Sequence, residues 1–274
     1  MSRSVLPSIL LLSTMFASCM PLPAQAATPA AVLEMDADGE VQIATDGHVS
    51  DYRLTTKLEP AVADLVERAT RGWKFVPVLI DGKPVLAKTH MHLRLRAEPT
   101  GDRDSVRLRV VQATFGAPKL VKSKPPHYPE EAVAYHLGGR VLLTLKIDEH
   151  GDVTDVLPYQ TSLDHRANSE QQAEHFRGVL EHASIAAARN WHFDMTELLD
   201  GKATGTVAMV PIVFTVSESG KSPPNAWRAF APGPIHVAPW ASEQAVDADT
   251  LKEGSALALQ SQFHLQEPVD GKLL

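Results

Sequence analysis

The stretch VQIATDGHVSD at residues 41–51 returns as LKIDEHGDVTD at residues 145–155, without a gap, at an offset of 104. Each copy alternates apolar and polar residues, breaks at a turn carrying Gly47 or Gly151, and resumes the alternation. Alternation sends successive side chains to opposite faces of a strand, and glycine accepts the positive φ of a tight turn. Each copy therefore reads as a β-hairpin, and a hairpin repeated without a gap predicts one module used twice.

Working outward, Leu58, Val62, Leu65, Ala69 and Trp73 recur as Phe176, Leu180, Ala183, Ala187 and Trp191, each 118 residues later. Steps of 4, 3, 4 and 4 trace one apolar stripe of an amphipathic helix. Each stripe ends in Trp-x-Phe, at Trp73 and Phe75 and at Trp191 and Phe193, which marks the chain leaving the helix in extended form. Asp-Gly-Lys follows at residues 81–83 and 200–202, and then a strand centred on Leu93 or Ile212. The order β, β, α, β occurs twice. It predicts an α+β chain of two tandem ββαβ modules, each a small antiparallel three-stranded sheet packed on one amphipathic helix.

The expected boundaries are residues 34–98 for the first module, 99–124 for a connecting strand and linker, and 125–217 for the second module. A proline-rich tail at 218–274 is expected to act as a linker or to drape over the surface, with one late strand between Ala256 and Leu265. The offset grows from 104 to 118 between hairpin and helix. The second copy thus carries 14 extra residues, expected as an exposed loop over 161–174. It also gains PPHYPEEAV at 125–133, read as a short helix opening on proline, with Gly138 and Gly139 stopping it before a strand at Val141 to Ile147.

Residues 1–26 combine Arg3, an apolar run from Val5 to Ala17 and a small-residue Ala24-Gln25-Ala26 site, the layout of a secretory leader. Cleavage after Ala26 predicts a periplasmic protein. Cys19, the sole cysteine, offers lipid attachment as a second route, and retention at the inner membrane is a third; no disulfide is expected. A formal net charge of −7 argues against a nucleic-acid partner. Lys88 to Lys124 departs from that balance with nine Lys or Arg. Arg94 and Arg96, and Arg107 and Arg109, alternate with apolar residues, which reads as two strands sharing a basic face. That face is either a contact for peptidoglycan or anionic lipid or a plain solvated surface.

Catalytic and metal motifs are lacking: there is no His-Glu-x-x-His, Cys-x-x-Cys, Gly-x-Ser-x-Gly or phosphate-cradling glycine loop. His90 and His92 share a strand face and could offer two imidazoles to a metal, but the sequence identifies no further ligand. Asp51 and Asp155 recur after the turn, where capping it is the simplest role. Trp73 and Trp191 end apolar stripes and read as core. No enzyme, cofactor or metal is expected.

Tyr128-Pro129 with Ala132, Gly139-x-Val141, Asp148-x-x-Gly151-x-Val153, Phe176 with Ala183 and Ala187, Trp191-x-Phe193 and Val210-Pro211-Ile212-x-Phe214 together resemble the TonB C-terminal domain family. The ordered set spans residues 125–216, and residues 34–98 resemble a diverged second copy. Tyr128, Pro129, Gly139, Gly151, Trp191 and Phe193 are its structural motif positions. The resemblance implies a periplasmic energy-transducer domain that grips an extended segment of an outer-membrane TonB-dependent transporter by β-strand addition. It also implies ExbB and ExbD motor partners where a membrane anchor is present. The edge strand so implied is Thr206, Val207, Ala208, Met209, Val210, Ile212, Val213 and Phe214, with Pro211 suited to an edge. No membrane helix and no long Pro-rich spacer precede the domain, which departs from the architecture of a full transducer.

Overall fold

The computed structural model describes residues 32–100, 106–164, 166–215, 230–241 and 251–274; the leader, Cys19, Pro223 and Pro224 lie outside the described residues. The chain runs β1 (Leu33–Ile43), β2 (Val49–Leu54), α1 (Pro60–Arg71), β3 (Leu79–Ile80), β4 (Lys83–Pro84), β5 (Ala87–Pro99), β6 (Val106–Phe115) and β7 (Lys119–Lys122). It continues through α2 (Glu130–Ala134), β8 (Gly139–Ile147), β9 (Val153–Leu163), α3 (Glu170–Ala188), β10 (His192–Asp194), β11 (Leu198–Leu199) and β12 (Lys202–Ala203). β13 (Thr206–Phe214), β14 (Ala231–Ile235) and β15 (Leu257–Ala258) complete it.

The expected pair of three-stranded ββαβ modules is not what forms. The fold is mostly β, built on two curled antiparallel sheets. The first has six strands in the order β12-β11-β5-β1-β2, with β6 also on β5; the second has five in the order β14-β9-β8-β13-β15. The reason is physical. A three-stranded sheet leaves two rows of unpaired backbone groups, and a chain that can cover them does so. Here the added strands come from outside each repeat: β6 from the connector, β14 and β15 from the tail, and the β11–β12 hairpin from the second repeat onto the first repeat's sheet. Strand period and turn chemistry were readable locally, whereas which edge a distant segment covers is not a local property.

The repeat nevertheless governs local geometry. Gly47 and Gly151 hold φ of 86° and 88° in the two hairpin turns. A Cβ at Gly47 would lie 2.2 Å from the Phe75 carbonyl oxygen, and one at Gly151 would lie 1.8 Å from that of Phe193. Those contacts exist because Phe75 N–H donates to the Gly47 carbonyl at 2.8 Å and Phe193 N–H to the Gly151 carbonyl at 2.9 Å. The turn and the strand after the helix are thus stitched together, and only glycine permits the approach.

The helix stripes rotate relative to expectation. α1 buries Val66 and Thr70, and α3 buries Ala173, Phe176, Leu180, Ser184 and Ala188, so Leu65, Ala69, Ala183 and Ala187 sit at the flank. Ser184 can be buried because its hydroxyl donates to the Leu180 carbonyl at 2.8 Å. The loop expected over 161–174 shrinks to the interval between β9 and α3, because β9 runs to Leu163 and Ser169 caps α3 by accepting from Gln172 N–H.

Each sheet has its own core. Phe75, Met91, Leu93, Leu95 and Val110 fill the first, together with Phe263 and Val269 from the tail. Val141, Leu143, Leu145, Phe176, Leu180 and Trp191 fill the second, on the α3 side. The opposite face of the second sheet is also covered: Leu142, Tyr159, Val207 and Met209 pack with Leu259, Trp240, Ala241, Leu251 and Leu257. The described residues of the tail therefore form a layer of the fold.

Candidate functional site

β13 pairs along its whole length with β8, from Thr206↔Ile147 to Phe214↔Gly139. Its sequence TVAMVPIVF is almost continuously apolar because both faces are buried: Ala208, Val210, Ile212 and Phe214 in the α3-side core, Val207 and Met209 in the opposite one. Thr206 is also buried, and Val213 is half-buried. The edge strand expected from the sequence is one continuous element, and its outer side is partly taken. Ala208 pairs with Ala258 and Met209 with Leu257, and Leu259 N–H donates to the Val207 carbonyl at 2.7 Å. Because backbone groups alternate sides along an antiparallel strand, Val207, Met209, Pro211 and Val213 turn theirs outward. Pro211 thus stands where its missing N–H breaks no bond to β8. Beyond Met209, no described strand pairs with the outer side of β13.

The family-motif residues serve structure. Tyr128 Oη donates to the Leu137 carbonyl at 2.6 Å and its ring meets Phe214 edge-on at 5.4 Å; burial first, and Asp164 second, push its phenol up to about 12. Pro129 precedes α2 in extended conformation, Gly139 opens β8 where a Cβ would lie 2.5 Å from the Ser162 carbonyl oxygen, and Gly151 makes the turn. Trp191 Nε1–H donates to the Lys124 carbonyl at 3.0 Å, and Phe193 is fully buried.

A second feature is a cleft of about 930 Å³ between the polar face of the first sheet, β7, the β10–β11 connection and the tail at 251–257. Lys88, His90, His92 and Arg94 of β5 line it, but each basic residue of that strand lies opposite a carboxylate-bearing or polar residue of β1: Glu34↔Arg96, Asp36↔Arg94, Asp38↔His92, Glu40↔His90 and Gln42↔Lys88. His92 Nδ1 lies 2.8 Å from Asp38, Lys88 Nζ 2.9 Å from Glu40 and Arg96 2.6 Å from Glu34. On β6, Arg109 pairs with Glu98 at 2.5 Å. Much of the strand pair read as a basic face is therefore paired with carboxylates in place. Burial lowers the His90 pKa against the pull of Asp38, and the Lys88 hydrogen bond lowers that of Glu40 despite burial. Neither histidine belongs to a group able to hold a metal; among the described residues no cluster of three His, Cys, Asp or Glu does so.

Asp51 and Asp155 do not cap the turns. Asp46 and Asp148 accept from the N–H of His48 and His150 instead, at 3.0 and 2.9 Å. The late strand expected between Ala256 and Leu265 forms at Leu257–Ala258, but neither its partner nor the anchor of the tail at Glu197 had a clear sequence mark. Leu257 and Ala258 alternate with Leu259 as a strand should, but nothing in the alternation names β13 as the partner. Glu197, only 2% exposed, accepts hydrogen bonds from Ser261 Oγ and from Gln262 N–H, pinning the tail just after β15. Burial pushes its carboxyl up, and those two hydrogen bonds pull against the rise.

Compared with known proteins, the chain matches no family model and no curated sequence. No helix among the described residues is long and apolar enough to cross a membrane.

Proposed function

We propose that this chain is a non-enzymatic binding protein of the bacterial periplasm that takes an extended polypeptide by strand addition along β13. The observation that carries the reading is the pairing of β15 on β13: the outer edge accepts a strand over Val207 to Met209, and no described strand extends that pairing to Phe214. Backbone bonds supply affinity in this mode, and pockets for alternate side chains supply selectivity. The resemblance to the TonB C-terminal domain supplies the partner class, a segment of an outer-membrane transporter, with ExbB and ExbD as further partners where an anchor exists. Export through the leader is the route this reading requires.

Titration of the isotope-labelled full chain with extended peptides, followed by amide NMR, tests it. Shifts are expected along Val207 to Phe214 and along Leu257 to Leu259. Unchanged spectra at millimolar peptide contradict the reading.

A further inference from the structure

We infer that β15 is a tethered stand-in for the partner, and that the β13 edge selects an extended segment in which small residues alternate with leucines. This rests on the strand-addition reading and goes further by naming what the segment must look like.

The template is the chain's own Ala256-Leu257-Ala258-Leu259. Leu257 and Leu259 lie on one side, within the cluster of Leu142, Tyr159, Val207 and Met209. Ala256 lies on the other, against the α3-side core. Period-two alternation thus sends the two leucines into the apolar cluster on one face and the small Ala256 against the core on the other. Among the described residues the pairing of β15 with β13 is short: two residue pairs and one further backbone bond. Its continuation is fixed elsewhere, by Ser261 and Gln262 on Glu197 and by Phe263 in the first core. A segment held briefly at the edge and anchored firmly beside it can leave without releasing the rest of the tail. An incoming segment that pairs from Val207 through Val213 makes more backbone bonds than β15 does, and so can displace it.

The experiment uses the full chain and a synthetic peptide of residues 254–263, GSALALQSQF, carrying a fluorophore. In the chain bearing Leu257→Asp and Leu259→Asp the tethered strand can no longer seat its side chains. The apparent Kd is the intrinsic Kd divided by the fraction of molecules with an open edge, so the peptide is expected to bind this variant at least about tenfold more tightly than the native chain. The same peptide with aspartate at both leucines is expected to bind neither. Equal binding of the two peptides overturns the side-chain pattern but leaves strand addition standing. No binding of either peptide to a folded variant overturns both. Should the double aspartate chain fail to fold, Leu257→Ala with Leu259→Ala replaces it, and hydrogen exchange at the Leu259 amide reads the opening directly. An amide there protected as strongly as those of β8 contradicts the displacement.

Discussion

Three residues carry consequences that can be measured singly. Gly151 has a φ of 88°, and an added Cβ would overlap the Phe193 carbonyl oxygen. Gly201 has a similar φ of 77° with nothing within 4 Å of its Cβ position. A non-glycine residue in the left-handed region costs about 1–3 kcal/mol. Gly201→Ala should show that cost alone, and Gly151→Ala should exceed it clearly, because it also breaks the Phe193-to-Gly151 bond. Denaturant midpoints compare them; equal losses would mean that the close approach carries no energy. Glu197 gives a dependence on pH. Its folded pKa lies above its ordinary value, so the folded state binds the proton more tightly than the unfolded chain does. The stability it contributes is present below the ordinary glutamate range and is lost as pH rises through the raised folded value. Glu197→Gln mimics the protonated carboxyl. It should therefore raise Tm at pH 7, and the gain should shrink as pH falls toward the ordinary glutamate pKa of 4.5. A Gln variant less stable than the native chain at pH 7 would show that the charged form is the one the site prefers.

Elements explain what was legible and what was not. α3 begins at Ser169, whose hydroxyl accepts from Gln172 N–H at 3.2 Å while Gln172 Oε1 accepts from Asn168 N–H at 2.8 Å. Ser169→Ala should cost about 1 kcal/mol, read from the urea midpoint; a change below a few tenths would mean water replaces the cap. That helix was visible because its stripe is periodic, yet the buried line runs through Ser184 and Ala188 and not through Ala183 and Ala187. Residue type alone favoured alanines over a serine whose hydroxyl is satisfied within its own helix. The hairpin turns were visible for a firmer reason: Gly47 and Gly151 are required by backbone geometry that the repeat preserves. β8 and β13 were recognised as strands, but VLLTL and VAMVPIVF also announce that both faces are covered, since a half-wet strand alternates. That cover is the tail, whose strand character at Leu257 was readable and whose destination was not. The basic face of β5 was likewise legible as a pattern. Its neutralisation was hidden because Glu34, Asp36, Asp38 and Glu40 lie on a strand 50 to 62 residues away, and only the β1–β5 register brings them opposite.

At the scale of the molecule, the two repeats share strands and side chains instead of standing as separate modules. Leu198 and Leu199 of the second repeat pair with Lys88 and Ala87 of the first, Asp200 N–H donates to the Leu86 carbonyl, and Leu199 is buried in the first core. After pairing with β13, the tail crosses to the first sheet. Val76 N–H donates to the His264 carbonyl, Gln266 N–H to that of Lys74, and Leu274 N–H to that of Leu108. Phe263, 3% exposed, is the anchor of this crossing. Cutting a buried phenylalanine back to alanine costs about 3–5 kcal/mol through lost transfer energy and the cavity left behind. If the repeats were independent, Phe263→Ala would lower the melting of the first core alone and split the calorimetric trace into two transitions. With β11, β12 and the tail spanning both cores, the unfolding of either sheet strips packed segments from the other. The expected trace is therefore a single transition moved to lower temperature, with amide protection falling together in β5 and β8. A second transition at the native temperature, or protection retained in β8 while that of β5 is lost, would show that the second sheet holds without the first.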